Sequence, residues 1–96
     1  MTENEKKRVL VTTSHRGVFF GKLVEDNGKT VTLEGCRNCL YWSADVRGFL
    51  GLSVTGPTSD CRIGPTAESV VLRDVTSVTK CSDEATKAWE SAEWKS

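Results

Sequence analysis

The sequence lacks several features that would assign a function directly. No apolar run approaches the ~20 residues of a membrane-spanning helix, and the charged N-terminus is not followed by the apolar segment of a signal peptide. No P-loop, Rossmann glycine pattern or His-Glu-x-x-His motif is present. We therefore expect a cytoplasmic protein that does not associate with membranes and is not an enzyme.

Histidine is scarce, and the cysteines are badly spaced for a metal site. Cys36 and Cys39 form a C-x-x-C pair, but Cys61 and Cys81 stand alone and His15 is the only histidine. A structural zinc site normally needs a second pair of ligands. A redox C-x-x-C begins a helix, whereas this one leads into an apolar segment typical of a strand. We predict reduced, buried thiols with no metal, no cofactor and no disulfide.

Net charge is also lacking, because 13 basic and 13 acidic residues cancel. They are mixed along the chain, which argues against a duplex nucleic-acid binder. The 96 residues are expected to form a polar tail over 1–7 and a single domain over 8–96. A domain of this size has a thin core, so we expect a homo-oligomer, a dimer or a tetramer.

Alternating apolar residues predict that most of the chain is β-structure. Asn27-Gly28 favours a tight hairpin turn because it supplies residues that tolerate positive φ, and segments 18–25 and 30–34 are predicted as its strands. Gly21 indicates a β-bulge or a close approach of the backbone. A connection is predicted over 35–38, and further strands over 8–13, 39–42, 61–63, 68–72 and 75–81.

Two helices are predicted. Val46, Phe49 and Leu50 have helical spacing, which indicates a short helix over about 44–52. Ser82 is a suitable N-cap for a C-terminal helix, in which Trp89 is expected to anchor an alanine-rich stripe to the sheet or to a neighbouring subunit. The predicted fold class is α+β: a small β-rich sheet or partly open barrel with a short middle helix and a C-terminal helix.

Two clusters, 15–21 and 35–42, combine cationic with aromatic side chains. Guanidinium and indole groups hold planar, charged ligands by bidentate hydrogen bonds and by stacking. The alternative is that the aromatic residues are simply core. Because side chains alternate along a strand, Tyr41 and Trp42 are expected to face opposite ways. We predict that Arg37 and Trp42 line a ligand pocket, with Arg16 or Phe20 beside them.

The order of these motifs resembles a widespread family of small phage proteins. The resemblance runs from Arg16-Gly17-Val18-Phe19-Phe20-Gly21-Lys22-Leu23 through Asn27-Gly28 to Arg37 and Tyr41-Trp42. It continues through Cys61-Arg62-Ile63, Cys81 and Trp94, and so spans residues 8–94. That family is similar to the phage anti-CBASS sponges, oligomers that sequester cyclic-nucleotide alarm signals. Related sponges act on NAD-derived Thoeris signals.

The resemblance implies a phage-encoded immune-evasion protein in the host cytoplasm, which binds a cyclic nucleotide or an ADP-ribose-type signal without cleaving it. Such a ligand offers phosphates for arginine and bases for aromatic stacking. The expected ligand-binding residues are His15, Arg16, Phe20, Arg37, Tyr41, Trp42 and Arg47.

Two other functions fit the same sequence. One is a protein–protein inhibitor or a virion accessory protein of a phage, in which Trp89 and Trp94 form an exposed apolar patch. The other is a single-stranded nucleic-acid binder that uses the same aromatic residues.

Overall fold

The computed structural model describes residues 7–14, 17–42, 48–58 and 61–92. These residues form six strands and two helices, which confirms the α+β prediction. The elements are β1 (Arg8–Thr13), β2 (Val18–Asp26), β3 (Thr30–Tyr41), α1 (Gly48–Val54), β4 (Arg62–Ile63), β5 (Ala67–Arg73), β6 (Val75–Lys80) and α2 (Asp83–Ser91).

The strands form one antiparallel sheet in the order β4–β3–β2–β1–β6, with β5 also paired to β3. β5 pairs with β3 from Thr30 to Cys36, and the short β4 pairs with β3 from Cys39 to Tyr41. The long β3 therefore has β2 along one side, and β5 followed by β4 along the other.

The sheet is strongly curled. β5 and β6 lie at opposite edges, yet Asp74 alone separates them. Three consecutive Cα atoms span at most about 7 Å, whereas four strand spacings in a flat sheet would separate these edges by about 19 Å. The two edges must therefore meet at this end. Asp74 makes the corner with a φ of 55°, and its carbonyl accepts a hydrogen bond from the Ser14 amide.

Curling the sheet creates two cores. Strand alternation places Val9 and Val11 of β1 on one face and Leu10 on the other. The inner core fills the curled sheet and contains Val9, Val11, Val31, Leu33, Cys36 and Leu72. The outer core lies under the helices and contains Leu10, Val18, Phe20, Cys39, Leu52, Cys61, Ile63, Cys81, Ala85 and Trp89.

The connection predicted over 35–38 is wrong, because β3 runs without a break through this segment. Gly35 adopts a φ of 58°, and the register between β2 and β3 shifts between Phe20 and Lys22. The irregularity is therefore a bulge that keeps the strand paired instead of ending it. Of the two alternatives predicted for Gly21, the structure shows the close backbone approach: the extra residue of the bulge lies in β3, and an added Cβ on Gly21 would lie 3.1 Å from the Glu34 carbonyl oxygen.

The middle helix is confirmed over the part of the predicted segment that the structure describes, residues 48–52, and it continues to Val54. The pattern predicted a helix over about 44–52, and α1 spans Gly48–Val54; Val46 lies outside the described residues. The N-cap prediction at Ser82 is confirmed, because its hydroxyl accepts a hydrogen bond from the Ala85 amide at 3.0 Å.

Trp89 anchors α2 to the sheet of its own chain. Its ring is fully buried and stacks on Phe20, with ring centroids 5.2 Å apart and planes 2° from parallel. Its indole N–H donates to the Leu52 carbonyl at 3.0 Å, which also ties α2 to α1. Burial within the chain excludes Trp89 from the exposed apolar patch considered above.

Substitution of Gly56 tests how closely α1 and α2 pack. Its φ is 81°, and an added Cβ would lie 2.5 Å from the Ala88 Cβ. We expect Gly56→Ala to lower the free energy of unfolding by about 2–4 kcal/mol in urea denaturation, from backbone strain and overpacking together. Gly28→Ala is the matched control, because Gly28 has a φ of 88° but no neighbour within 4 Å. Equal losses in the two variants would contradict close packing here.

Candidate anion-binding pocket

Arg37 is the most constrained charged side chain in the described structure. It lies on β3 opposite Phe20 of β2 and is 6% exposed. Its Nε and Nη2 both donate to the Gly64 carbonyl, at 3.1 and 3.0 Å. Its Nη1 donates to the Trp89 carbonyl at 2.8 Å and also to the Ala92 carbonyl. The guanidinium thus joins β3, the segment between β4 and β5, and the end of α2.

These contacts hold a positive charge among backbone dipoles. Burial lowers the pKa of the Arg37 guanidinium from its ordinary value, but an arginine side chain stays protonated in proteins. The carbonyls at the C-terminal end of a helix carry partial negative charge. They compensate part of the cost of burial, and the four bonds account for four of the five N–H groups of the guanidinium.

A pocket of about 240 Å³ opens beside this guanidinium. Its lining combines two cations, a carboxylate, a hydroxyl and an aromatic ring, supplied by Phe20, Lys22, Gly35, Arg37, Thr66 and Glu90. The bulge at Gly35 leaves no side chain on this wall. Such a lining is chemically suited to binding a small oxyanion.

Strand register explains why the charges gather here. Arg8 of β1 pairs with Lys22 of β2, and Lys22 pairs with Glu34 of β3. Cross-strand pairs place their side chains on the same face of the sheet. Glu90 of α2 also belongs to this group of charges, because its carboxylate lies 3.4 Å from the Nε of Arg8.

The structure brings together some of the residues predicted for the site and separates others. Phe20 and Arg37 both line the pocket. Tyr41 is 54% exposed at the end of β3, and Trp42 packs partly buried against the outer core. Neither belongs to the described lining. His15, Arg16 and Arg47 lie outside the described residues.

Sequence reasoning missed Lys22, Thr66 and Glu90. Lys22 had a usable signal, because it stands two positions after Phe20 on a predicted strand and therefore shares its face. Thr66 and Glu90 come from a connection and a distant helix, and no local pattern places them beside Lys22.

The cysteines are buried free thiols. Burial raises the pKa of Cys36 to about 11 and that of Cys81 to about 12. Burial also raises the pKa of Cys39 to about 12, with a smaller contribution from nearby Cys61. These three thiols stay protonated at neutral pH and are poor nucleophiles. Within the described ranges, no three His, Cys, Asp or Glu side chains are grouped to hold a metal ion.

Comparison with known proteins identifies one family. The family described as a domain of unknown function (DUF6948) matches residues 6–89. The chain belongs to this family. No curated protein and no solved structure matches the chain. None of the helices in the described part of the chain is long and apolar enough to cross a membrane.

The contacts of Arg37 predict a large structural effect of its removal. We expect Arg37→Ala to lower the free energy of unfolding by about 3 kcal/mol or more, because charge-assisted hydrogen bonds to three carbonyls are lost. Arg37→Lys should lose less, since it keeps the charge but not the planar fork.

Urea denaturation measures both changes. The control is Arg62→Ala, an exposed arginine on β4 whose removal should change stability by no more than about 0.5 kcal/mol. An Arg37→Ala variant as stable as this control would show that the guanidinium does not hold α2 in place.

Proposed function

We propose that this protein is a non-catalytic binding protein that captures a small phosphorylated signal, a cyclic nucleotide or an ADP-ribose derivative. In this proposal it is a phage protein that acts in the host cytoplasm and sequesters the signal without cleaving it. The observation that carries the proposal is the pocket in which Lys22, Arg37 and Thr66 converge beside Phe20.

The lining supports capture through its binding groups. The Lys22 ammonium, the fifth N–H of the Arg37 guanidinium and the Thr66 hydroxyl are donors from which a phosphate oxygen can accept. The Arg37 donors are fixed by the fold before any ligand arrives, so binding loses little side-chain entropy at this residue. Tight, stoichiometric capture depends on such preorganisation.

Base stacking on Phe20 contributes less to ligand binding at this site than the sequence indicated. Phe20 is 2% exposed and already stacks on Trp89, so it supplies an apolar wall and not an open ring face. A volume of about 240 Å³ is below the roughly 300–1,000 Å³ of pockets for drug-sized ligands. It suits one phosphorylated sugar, and a larger signal would extend out of the pocket.

Substituting Lys22 tests ligand binding better than substituting Arg37, because the Arg37 side chain also holds the fold together. We expect wild-type protein to bind at least one of 3′,5′-cyclic AMP, cyclic di-AMP and ADP-ribose in calorimetry, and chromatography to recover the ligand intact. Lys22→Ala should weaken that binding by about 1.5–3 kcal/mol, the range for a charge-assisted hydrogen bond.

Lys29→Ala is the matched control, because Lys29 is an exposed lysine in the turn between β2 and β3. It should bind as wild type does. The proposal fails if no ligand of this panel binds to the folded protein, or if Lys22→Ala and Lys29→Ala bind equally well.

A protein-binding surface is the second candidate, favoured by exposed apolar residues. Leu40 and Tyr41 are both 54% exposed at the end of β3. On α1, Leu50 and Val54 are exposed one helical turn apart. Because Trp89 is buried, we assign the apolar surface for a protein partner to these exposed residues instead. The partner that we propose is a second copy of the chain.

Sedimentation tests this surface. We expect the wild-type chain to form a dimer or tetramer at tens of micromolar and Tyr41→Lys to be a monomer. Val71→Lys is the control, because Val71 on β5 is exposed to a similar extent, 55%. A monomeric wild-type protein, or equal dissociation of both variants, would contradict the assignment.

A further inference from the structure

The charges around the pocket restrict which oxyanion it can hold. We use "pocket charge cluster" for Arg8, Lys22, Glu34, Arg37 and Glu90. Arg37 and Glu90 line the pocket with Lys22, and Arg8 and Glu34 adjoin Lys22 in the strand register. Three cations and two carboxylates give this cluster a formal charge of +1.

Glu90 is the unusual member. A carboxylate in the wall disfavours a phosphate dianion, because two like charges repel most strongly where solvent is partly excluded. The Glu90 carboxylate is held toward the sheet by Arg8, at 3.4 Å. It is therefore positioned to repel a second negative charge and to accept a hydrogen bond from a ligand hydroxyl or amine.

We infer that the pocket selects a phosphodiester that carries a neighbouring hydrogen-bond donor, and that Glu90 determines this specificity. The inference rests on the proposed function and deepens it. A phosphodiester carries one negative charge, which matches the cluster. A phosphomonoester carries close to two at neutral pH, because its second pKa is about 6, and the second charge faces Glu90.

The test compares two nucleotides that differ mainly in this charge, 3′,5′-cyclic AMP and 5′-AMP, with inorganic phosphate as a third probe. At pH 7.5 we expect wild-type protein to bind 3′,5′-cyclic AMP at least tenfold more tightly than 5′-AMP. Inorganic phosphate should bind more weakly still, because it has no nucleoside to contact the apolar wall at Phe20. Calorimetry at constant ionic strength measures all three.

Substituting Glu90 should remove the discrimination. We expect Glu90→Gln to narrow the ratio of the two nucleotide affinities by about tenfold, chiefly through tighter binding of 5′-AMP. Glu84→Gln is the matched control, because Glu84 is an exposed glutamate on the first turn of α2. It should leave the ratio at the wild-type value.

A pH series provides a readout that a structural role of Glu90 would not produce. As the pH falls from 7.5 to 5, 5′-AMP becomes a monoanion, and its affinity for wild-type protein should approach that of 3′,5′-cyclic AMP. In Glu90→Gln the two affinities should already be similar at pH 7.5, so the same pH change should alter their ratio little.

These measurements distinguish the specificity inferred for Glu90 from the nucleotide capture of the proposed function. Equal ratios in wild type and Glu90→Gln, or a wild-type preference for 5′-AMP, would overturn the specificity of Glu90 while leaving nucleotide capture intact. Folded wild-type protein that binds neither nucleotide, and also fails to bind cyclic di-AMP and ADP-ribose, would overturn both.

Discussion

The structure depends on one guanidinium that is bonded to backbone carbonyls. Arg37 projects from the middle of the sheet and joins the Gly64, Trp89 and Ala92 carbonyls. A strand, a connecting segment and the end of a helix are therefore held at a single point. Around this point the stack of Trp89 on Phe20 supplies the apolar contact. The polar bonds fix the position of α2, and burial of the indole supplies most of the driving force for its docking.

Curling of the sheet makes this arrangement possible. Asp74 turns the chain from one edge of the sheet to the other, so the inner core closes on itself without help from the helices. The outer face is then left for α1 and α2 to cover. Because α2 has nine residues, it covers this face incompletely, and the pocket lies where its end meets β2 and β3.

Local features of the fold were predictable from the sequence, and long-range ones were not. The Asn27-Gly28 turn and the Ser82 cap each depend on residues within a few positions of one another. The continuity of β3 through Gly35 was missed, because a glycine that bends a strand and a glycine that ends one look alike in a sequence. The strands predicted over 68–72 and 75–81 are present as β5 and β6, but the curvature that follows from the corner between them appears only in the pairing.

The long-range contacts of the candidate site were not predictable from the sequence either. Arg37 was predicted to line a ligand pocket; the structure places it beside a pocket, and its burial was not foreseen. Its partners are backbone carbonyls 27, 52 and 55 residues away, and every residue type carries such a group. Trp42 was expected in the same pocket, but it serves the outer core.

Arg37 has two roles, because it bonds the end of α2 and also lines the pocket. The described partners of the guanidinium are backbone carbonyls, none of which carries a formal negative charge to offset its positive charge. The fold therefore places a fixed positive charge at the wall of a pocket and bears the cost of burying it. If the pocket binds an anion as we propose, the anion would lower that cost, and ligand binding and the docking of α2 would favour each other. In the same proposal Glu90, at the end of α2 and held by Arg8 of β1, limits how much negative charge the pocket accepts.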